Sequence, residues 1–362
     1  MMESEETDGS GRRVDAFIRR FDVSQLRGHR DDGAIAALFD RWVLPGESAG
    51  AHGLRVAIRN GHLNFYVKGQ SVGAFRLVAG RPSLRLHRKY RAAADNGSRR
   101  AAEIGQTYET LDADALKTTS ADIVDGWIRT AETYAGDEKR FVDDLVAVTP
   151  GTIDLEMGLP ADEEAVGEDR TAPRMDLVVA QGSAIAFWEA KCAVNGELRA
   201  RAAYRESPEG RYEAGPHVLW QLRRYERWVG RPHRLGQVRD AYIETARILI
   251  ALAALYGKRG PAIEAWTTLA RAGKSATVVL PPGIVVADYC PVRADGATRA
   301  ESATYAARAG SFAGHGARLI GHGATVVSVP AKPHGPVLPD LRVGRISAAE
   351  APAGQRASFG IG

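Results

Sequence analysis

Cysteine and long apolar runs are both scarce in this chain of 362 residues. The two cysteines, Cys192 and Cys290, are too few for the disulfide framework of a small secreted domain. The most apolar stretch, residues 248–256, is far shorter than the roughly 20 residues that cross a bilayer. The opening residues are acidic, whereas a secretory signal begins with basic residues followed by apolar ones. We therefore expect a cytoplasmic protein with no membrane partner.

Lysine is scarce as well, since eight lysines stand beside forty arginines in a total of 48 bases. With 44 acids the net charge is +4, which by itself says little about partners. Residues 81–100 hold seven bases and one acid, and residues 199–234 hold nine arginines and four glutamates. Between them, residues 136–169 hold eleven acids and two bases. Two basic segments on either side of an acidic one suit a protein that attracts a polyanion on both flanks and binds a metal through carboxylates between them. Solvated faces of alternating charge would give the same counts.

The N-terminal quarter has the patterns of a small separate module. Residues 1–12 are polar, and we expect a disordered tail there. Helical spacing of apolar residues then covers residues 14–21 and 35–43. Asn60 and Gly61 separate two alternating runs, which is the strongest short-range hairpin signal, and two further runs follow. Residues 13–95 are therefore predicted to form a helix with an antiparallel sheet.

The remainder predicts a connector, a mixed core and a tail. Residues 96–131 are predicted as a helical connector, residues 132–330 as the core, and residues 331–362 as a disordered tail rich in Pro and Gly. The core is expected to hold a helical insertion at 235–273. The other predicted core elements are helices at 137–148, 216–229 and 301–320, and strands at 152–157, 175–180, 184–192, 283–289 and 324–329.

The strongest chemical signal lies in the predicted hairpin formed by residues 174–180 and 184–191. Antiparallel pairing brings Asp176, at the start of one strand, beside Glu189 and Lys191 at the end of the other. Because side chains alternate along a strand, Glu189 and Lys191 share a face. The alternative is a purely structural role, in which Glu189 and Lys191 lie on an edge strand and pair with neighbours on a solvated face of the sheet. Charges that end so apolar a strand, however, lie at a core boundary and need a partner or a metal.

Two carboxylates with one lysine suit a magnesium site, because Mg²⁺ is usually bound by one or two carboxylates together with water and phosphate. Lys191 could orient or deprotonate a water molecule, or offset charge on a phosphate. In a chain this rich in arginine, a lysine at this point is informative, since arginine does not lose its proton.

Two predicted helices contribute further candidates. Glu138 falls on the inward stripe of helix 137–148 and is a candidate additional ligand, although a first-turn Glu also stabilises a helix N-terminus. Glu156 is the reserve acid. Gln221 and Tyr225 lie one turn apart on helix 216–229, which taken alone is better explained as an ordinary packed helix. Arg223 and Arg224 lie on its other faces and suit phosphate contacts.

Glu138, Asp176, Glu189-Ala190-Lys191 and Gln221-Leu222-Arg223-Arg224-Tyr225, in this order on helix, strand, strand and helix, resemble the PD-(D/E)XK nuclease superfamily. The resemblance is greatest to its RecB and NucS type, in which a Gln-x-x-x-Tyr motif follows the Glu-x-Lys strand. It covers residues 132–230 and continues through 284–288. It implies the α/β (α+β) class, with a restriction-endonuclease-like αβββαβ core around a mixed central sheet, and metal-dependent cleavage of nucleic acid phosphodiesters.

The resemblance also implies roles for individual residues. Asp176 and Glu189 would bind Mg²⁺ or Mn²⁺, Lys191 would position or activate water, and Glu138 would be the helix-borne acid. Gln221 and Tyr225 would brace the site or touch the substrate strand. Two departures stand out: Pro173 lies three residues before Asp176 instead of adjacent to it, and Lys191 and Gln221 are 30 residues apart.

The sequence thus favours a divalent-metal-dependent nuclease whose partner is nucleic acid, with DNA as the first expectation. A nucleic-acid-binding protein on an inactive nuclease scaffold, and a globular protein in which these charges are structural, stay open. The basic run 81–100, with Tyr90 beside Lys89 and Arg91, could contact a phosphate backbone or could belong to a protein interaction module. A homodimer would suit two-strand cutting, but no apolar stripe demands one.

Overall fold

A computed structural model describes residues 16–94, 107–160, 174–201, 215–291 and 312–343, together with 303, 305–307 and 310. The chain is a mixed α+β protein with one antiparallel sheet and one mixed sheet. This confirms the predicted class at that level. Within the described part of the chain, no helix combines the length and the apolarity that a bilayer crossing requires.

The first sheet is an antiparallel meander of five strands in chain order. Its strands are β1 (Arg55–Arg59), β2 (His62–Val67), β3 (Gln70–Val78), β4 (Arg81–His87) and β5 (Tyr108–Leu111). The predicted hairpin is present, since Arg59 pairs with His62 across the Asn60-Gly61 turn. Gly61 has φ +75°, a value that favours glycine. Strand β5 falls inside the predicted helical connector and was not expected there.

Five short helices accompany this sheet. They are α1 (Val23–Leu26), α2 (Gly33–Asp40), α3 (Arg88–Ala94), α4 (Ala113–Thr118) and α5 (Ala121–Thr133). Residues 95–106, the first part of the predicted connector, lie outside the described residues.

The helical prediction for residues 14–21 is wrong where the structure describes them. Residues 16–19 have no regular structure, and Arg20 forms an isolated bridge with Asn60. The ring of Phe17 instead packs against those of Trp228 and Tyr242, at centroid distances of 5.9 and 5.7 Å. These long-range contacts hold the segment extended and override its local periodicity. Residues 1–15, which include the whole of the predicted N-terminal tail, are outside the described part.

The second sheet has the strand order β13-β12-β8-β7-β6, with β11 pairing to β8. Its strands are β6 (Thr152–Gly158), β7 (Arg174–Gln181), β8 (Ala184–Cys192), β11 (Thr277–Val278), β12 (Gly283–Ala287) and β13 (Val326–Val329). Strands β6, β7 and β8 pair antiparallel, whereas β12 is parallel to both β8 and β13. The sheet is therefore mixed, as predicted. A separate two-stranded pair joins β9 (Ala200–Arg201) to β10 (Gly215–Pro216).

Helices precede, interrupt and follow this sheet. They are α6 (Asp137–Ala147), α7 (His217–Val229), α8 (Pro232–Leu255), α9 (Pro261–Ala272) and α10 (Phe312–Gly321). Helices α8 and α9 cover residues 235–273, where two helices were predicted, apart from a few residues between and after them. All nine residues of β8 are buried, which explains why its sequence is a continuous apolar run up to Glu189. Gly283 pairs with Trp188, and a Cβ at Gly283 would lie only 2.4 Å from the indole ring.

Buried charges join the two sheets. Asp154 on β6 accepts hydrogen bonds from Arg19 at 3.3 Å, from the Tyr242 hydroxyl at 3.1 Å and from Arg59, and its side chain is fully buried. We refer to Asp154, Arg19, Arg59 and Tyr242 as the Asp154 cluster. It connects the N-terminal extension, the first sheet, the second sheet and α8.

The predicted tail begins too early. Gln181 at the end of β7 donates from Nε2 to the Pro339 carbonyl at 2.7 Å and accepts from the Leu341 amide at 3.2 Å. A 3₁₀ turn follows at Leu341–Val343. These two hydrogen bonds from the Gln181 side chain hold residues 339–343 against the β7–β8 turn, although this segment has few large apolar side chains. Residues 344–362 lie outside the described part of the chain.

Candidate active site

Asp176 and Glu189 meet at the open end of the β7–β8 hairpin. The register pairs Leu177 with Trp188, so Asp176 and Glu189 occupy the next positions along the two strands. The Ala190 amide donates to Asp176 Oδ2 at 2.8 Å, which ties the start of β7 to the end of β8. The structure thus brings together the two carboxylates that the alternating pattern of the hairpin placed side by side.

Lys191 lies among three carboxylates. Its Nζ is 2.9 Å from Glu189 Oε1, 2.9 Å from Glu197 Oε2 and 3.9 Å from Glu138 Oε2. The residue is only 6% exposed. Burial opposes the charge, but Glu189, Glu138 and Asp176 together raise the pKa of Lys191 well above its usual value. The protein surroundings therefore favour the ammonium form, which argues against the deprotonated lysine that the sequence left open. We refer to Asp176, Glu189, Lys191, Glu138 and Glu197 as the carboxylate site.

Glu138 reaches the site from the first turn of α6. Its Oε1 accepts a hydrogen bond from Asn195 Nδ2, and its Oε2 faces Lys191. Phe141 and Val142 on the same helix are buried, so the stripe that contains Glu138 does face inward as predicted. The side chain of Glu138 is 36% exposed, and the acid therefore lies at the solvent edge of the site.

One oxygen of Glu189 has no partner. Glu189 is 3% exposed, and its Oε2 is buried without a hydrogen bond. Burial raises the pKa of Glu189 to about 7, against the effect of Lys191. Burial and then the charge of Glu189 raise the pKa of Asp176 well above its usual range. A buried carboxylate oxygen without a donor is costly, so this geometry favours a cation at Oε2.

Helix α7 lies against the two carboxylates. The Tyr225 hydroxyl donates to the carbonyl of Arg174, and the side chain is buried. Burial raises the pKa of Tyr225 strongly, and Glu189 and Asp176 add to the effect. Gln221, one turn earlier, has a buried Oε1 without a hydrogen-bond partner. Tyr225 therefore holds the start of β7, the strand that carries Asp176.

The two candidate arginines of α7 differ in their surroundings. Arg223 is exposed, whereas Arg224 lies over the Trp220 ring at 4.5 Å from its centroid. The His217 ring lies on the same stretch of helix, 5.2 Å from that of Trp220. Imidazole, indole and guanidinium thus follow one another along α7.

Glu156 lies near Asp176 but has its own cation. Its Oε2 is 3.9 Å from Arg174 Nη1, and its charge contributes to the raised pKa of Asp176. Glu156 has φ +50°, an unfavourable value for a residue with a side chain. The reserve acid is therefore a neighbour of the site. Pro173, the proline of the motif, lies outside the described residues.

Sequence reasoning missed three residues of the site. Asn195 binds Glu138, Glu197 binds Lys191, and His217 Nδ1 lies 3.4 Å from Glu197 Oε1. Asn195 and Glu197 belong to the turn directly after β8, where the Asn195 side chain accepts from the Glu197 amide at 2.7 Å. The signal that could have found them is the Asn-Gly-Glu sequence at this strand end, a turn pattern beside a catalytic candidate.

The donor set suits a magnesium-like ion that keeps much of its water. Among the described residues, no group of three or more His, Cys, Asp or Glu side chains is arranged to hold a metal ion. Mg²⁺, however, is commonly bound by one or two carboxylates, with water and substrate phosphate completing its shell. Asp176 and Glu189 supply two carboxylates, and the unpartnered Glu189 Oε2 is a ready ligand atom.

Comparison with protein families, with curated proteins and with solved structures finds no match to this chain. The chemistry of the site is therefore argued from its own geometry.

Proposed function

We propose that the protein is a divalent-metal-dependent nuclease that hydrolyses phosphodiester bonds of nucleic acid, and of DNA in particular. The observation that carries this proposal is the buried, unpartnered Oε2 of Glu189 beside Asp176, in a site with four carboxylates and one lysine. Such an excess of negative charge, part of it buried, is stabilised when a divalent cation binds.

The order of the elements supports the same proposal. We infer a restriction-endonuclease-like core from α6, the antiparallel strands β6, β7 and β8, helix α7, and then β12 parallel to β8. This is the αβββαβ order that the resemblance implies. The insertion of α8 and α9 falls between α7 and β12, on the connection that leads to the last core strand.

Each side chain then has a distinct task. Asp176 and Glu189 would hold Mg²⁺ or Mn²⁺, which when bound supplies Lewis-acid stabilisation of phosphate charge and makes bound water more acidic. Lys191, kept protonated by its neighbours, would offset the charge that develops on the phosphate and orient the water. Glu138, held by Asn195 at the solvent edge, could accept a hydrogen bond from that water. Arg223 and Arg224 lie on the adjoining helix and suit phosphate contacts.

A cleavage assay tests this proposal. Labelled single-stranded DNA, double-stranded DNA and RNA would be incubated with the protein in Mg²⁺, in Mn²⁺ and in EDTA. We expect cutting only with metal, and loss of cutting in Glu189→Gln and in Lys191→Met. Glu244→Gln, at an exposed acid on α8, is the matched control and should cut normally. Equal cleavage by parent and Lys191→Met would contradict the proposed site.

A second candidate is a nucleic-acid-binding protein whose nuclease site no longer cleaves. The observation in its favour is that Lys191 already bonds to Glu189 and Glu197 at 2.9 Å, which neutralises part of the charge that a metal would meet. This alternative predicts that EDTA and Asp176→Ala leave DNA binding unchanged while no condition gives cleavage. Calorimetric titration with Mn²⁺ would separate the two, because only the nuclease requires binding that disappears in Asp176→Ala.

A further inference from the structure

The edge of the first sheet carries a row of aromatic and cationic side chains. Tyr108 and Tyr134 are 47% and 51% exposed, which is unusual for side chains of this size. The guanidinium of Arg85 lies over the Tyr108 ring at 4.1 Å from its centroid, and Lys89 Nζ lies over the Tyr134 ring at 3.7 Å. Each exposed ring is therefore paired with a cation. We call Tyr108, His87 and Tyr134, with Arg85 and Lys89, the tyrosine track.

The rings of the track are continuous. His87 pairs with Tyr108 across β4 and β5, and their ring centroids are 5.2 Å apart. The buried Tyr90 then links the two halves, with centroid distances of 5.4 Å to His87 and 6.0 Å to Tyr134. The Tyr90 hydroxyl accepts from Gln70 Nε2 at 2.7 Å, which fixes the ring that supports both neighbours.

The track leads to the carboxylate site. Tyr134 caps α5 and is four residues before Glu138, with only a short turn between the two helices. Lys139, next to Glu138, donates to Gln70 Oε1 at 3.1 Å and so lies beside the same support.

We propose that the tyrosine track binds single-stranded DNA and leads it to the carboxylate site, a proposal that rests on the proposed nuclease function. Exposed rings stack on unpaired bases, whereas a duplex hides the faces of its bases. The cations beside the rings suit phosphates spaced along the same strand. Glu109, the residue after Tyr108 on β5, has its charge paired with Arg91.

Fluorescence anisotropy of the full chain tests the track without cleavage. The parent for this test carries Asp176→Asn, and the probe is a labelled oligo-dT of about 16 nucleotides in EDTA. We expect Tyr108→Ala with Tyr134→Ala to weaken binding about tenfold or more, because each stacked base is worth roughly 1–3 kcal/mol. Tyr108→Phe with Tyr134→Phe should bind like the parent, since stacking is kept. Arg85→Ala with Lys89→Ala should reduce the salt dependence of binding.

Controls separate this proposal from the nuclease itself. Arg247→Ala, at an exposed arginine on α8, should leave binding unchanged, and thermal unfolding of every variant verifies its fold. If Tyr108→Ala with Tyr134→Ala binds as tightly as the parent, the proposed binding role of the tyrosine track is wrong, even if the unmodified protein cuts DNA. An equal loss for a duplex probe would overturn the assignment to single strands. Weakened binding by that variant, together with no cleavage by the unmodified protein, would overturn the nuclease and support the track.

Discussion

Two groups of polar and charged residues are built around buried carboxylates of the second sheet, Asp154 and Glu189, and they differ in charge balance. The Asp154 cluster surrounds one carboxylate with two arginines, a tyrosine hydroxyl and the Leu155 amide, which donates at 2.8 Å. The carboxylate site surrounds one lysine with acids and leaves Glu189 Oε2 without a partner. Each group contains a buried carboxylate, Asp154 in one and Glu189 in the other, so burial alone does not distinguish a structural ion group from a reactive one.

The two groups act in opposite directions on their neighbours. The pKa of His62 is lowered to about 4, first by burial and then by the charge of Arg76, with smaller contributions from Arg59 and Arg19. Burial and neighbouring acids raise the pKa of Glu189 to about 7, although Lys191 opposes the shift. Neighbouring cations therefore add to the effect of burial at His62, whereas at Glu189 burial and the neighbouring acids outweigh the effect of Lys191. A bound cation would counteract the raised pKa of Glu189, so the carboxylate site is the functional candidate.

Removing the central carboxylate of the Asp154 cluster should have the largest effect. We expect Asp154→Asn to lower the free energy of unfolding by about 3–5 kcal/mol, because two buried arginines would lose their counter-charge. Urea denaturation measures this change. Asp240→Asn, at an exposed acid paired with Arg239, is the matched control and should cost less than about 1 kcal/mol. A similar cost for both substitutions would remove the distinction between the cluster and an ordinary surface pair.

Neutralising Glu189 should affect activity and stability in opposite directions. We expect Glu189→Gln to lower the cleavage rate by at least about 100-fold, since a metal ligand is lost. In EDTA the same variant should be as stable as the parent or more stable, because the raised pKa of Glu189 means that its ionised form destabilises the fold, and Lys191 keeps Glu197 as a partner. Cleavage kinetics and urea denaturation measure the two effects. A large loss of stability in EDTA would show that Glu189 belongs with Asp154 as a structural charge.

Metal should stabilise the parent through the carboxylate site only. At a concentration about 100 times the dissociation constant, a ligand that binds the folded state adds about 2.7 kcal/mol. We therefore expect Mg²⁺ or Mn²⁺ to raise the thermal midpoint of the parent and to leave that of Glu189→Gln unchanged. Ca²⁺ and high NaCl serve as controls for general ionic effects. An equal rise in both proteins would place the metal elsewhere.

The smallest predicted effect is the pH dependence that burial and the charge of Arg76 impose on His62, with smaller contributions from Arg59 and Arg19 of the Asp154 cluster. Folded His62 resists protonation down to about pH 4, whereas the unfolded chain takes up the proton near its ordinary pKa of 6.5. Stability should thus be lost as the pH falls from 6.5 towards 4, and His62→Asn should reduce that loss. Urea denaturation at pH 7 and pH 5 compares the two proteins. Identical pH dependence in parent and variant would show that His62 titrates normally.

The sequence predicted the carboxylate site better than the Asp154 cluster, for a physical reason. Strand alternation and a short turn place Asp176, Glu189 and Lys191 together, so their proximity follows from local rules. Asp154 is 135, 95 and 88 residues from Arg19, Arg59 and Tyr242, and no local pattern encodes such separations.

The same reasoning accounts for the other errors. The apolar residues around Phe17 are spaced as in a helix, but the aromatic partners of Phe17 come from α7 and α8. Asn195 and Glu197 were missed because their positions depend on the turn after β8, which periodicity does not describe. Strand β5 is only four residues long and lies at the sheet edge, where its pairing with β4 decides its conformation.

The way in which Asp154 holds the sheets together also bears on how the gene could be rearranged. Its partners come from the N-terminal extension, from β1 and from the inserted helix α8, so three stretches of coding sequence share one buried carboxylate. Moving the N-terminal sheet onto another protein core, or shortening α8, would leave a buried arginine or carboxylate without its partner in the resulting protein. Recombination that preserves folding must therefore exchange these stretches together or replace the charged partners with apolar residues at the same time.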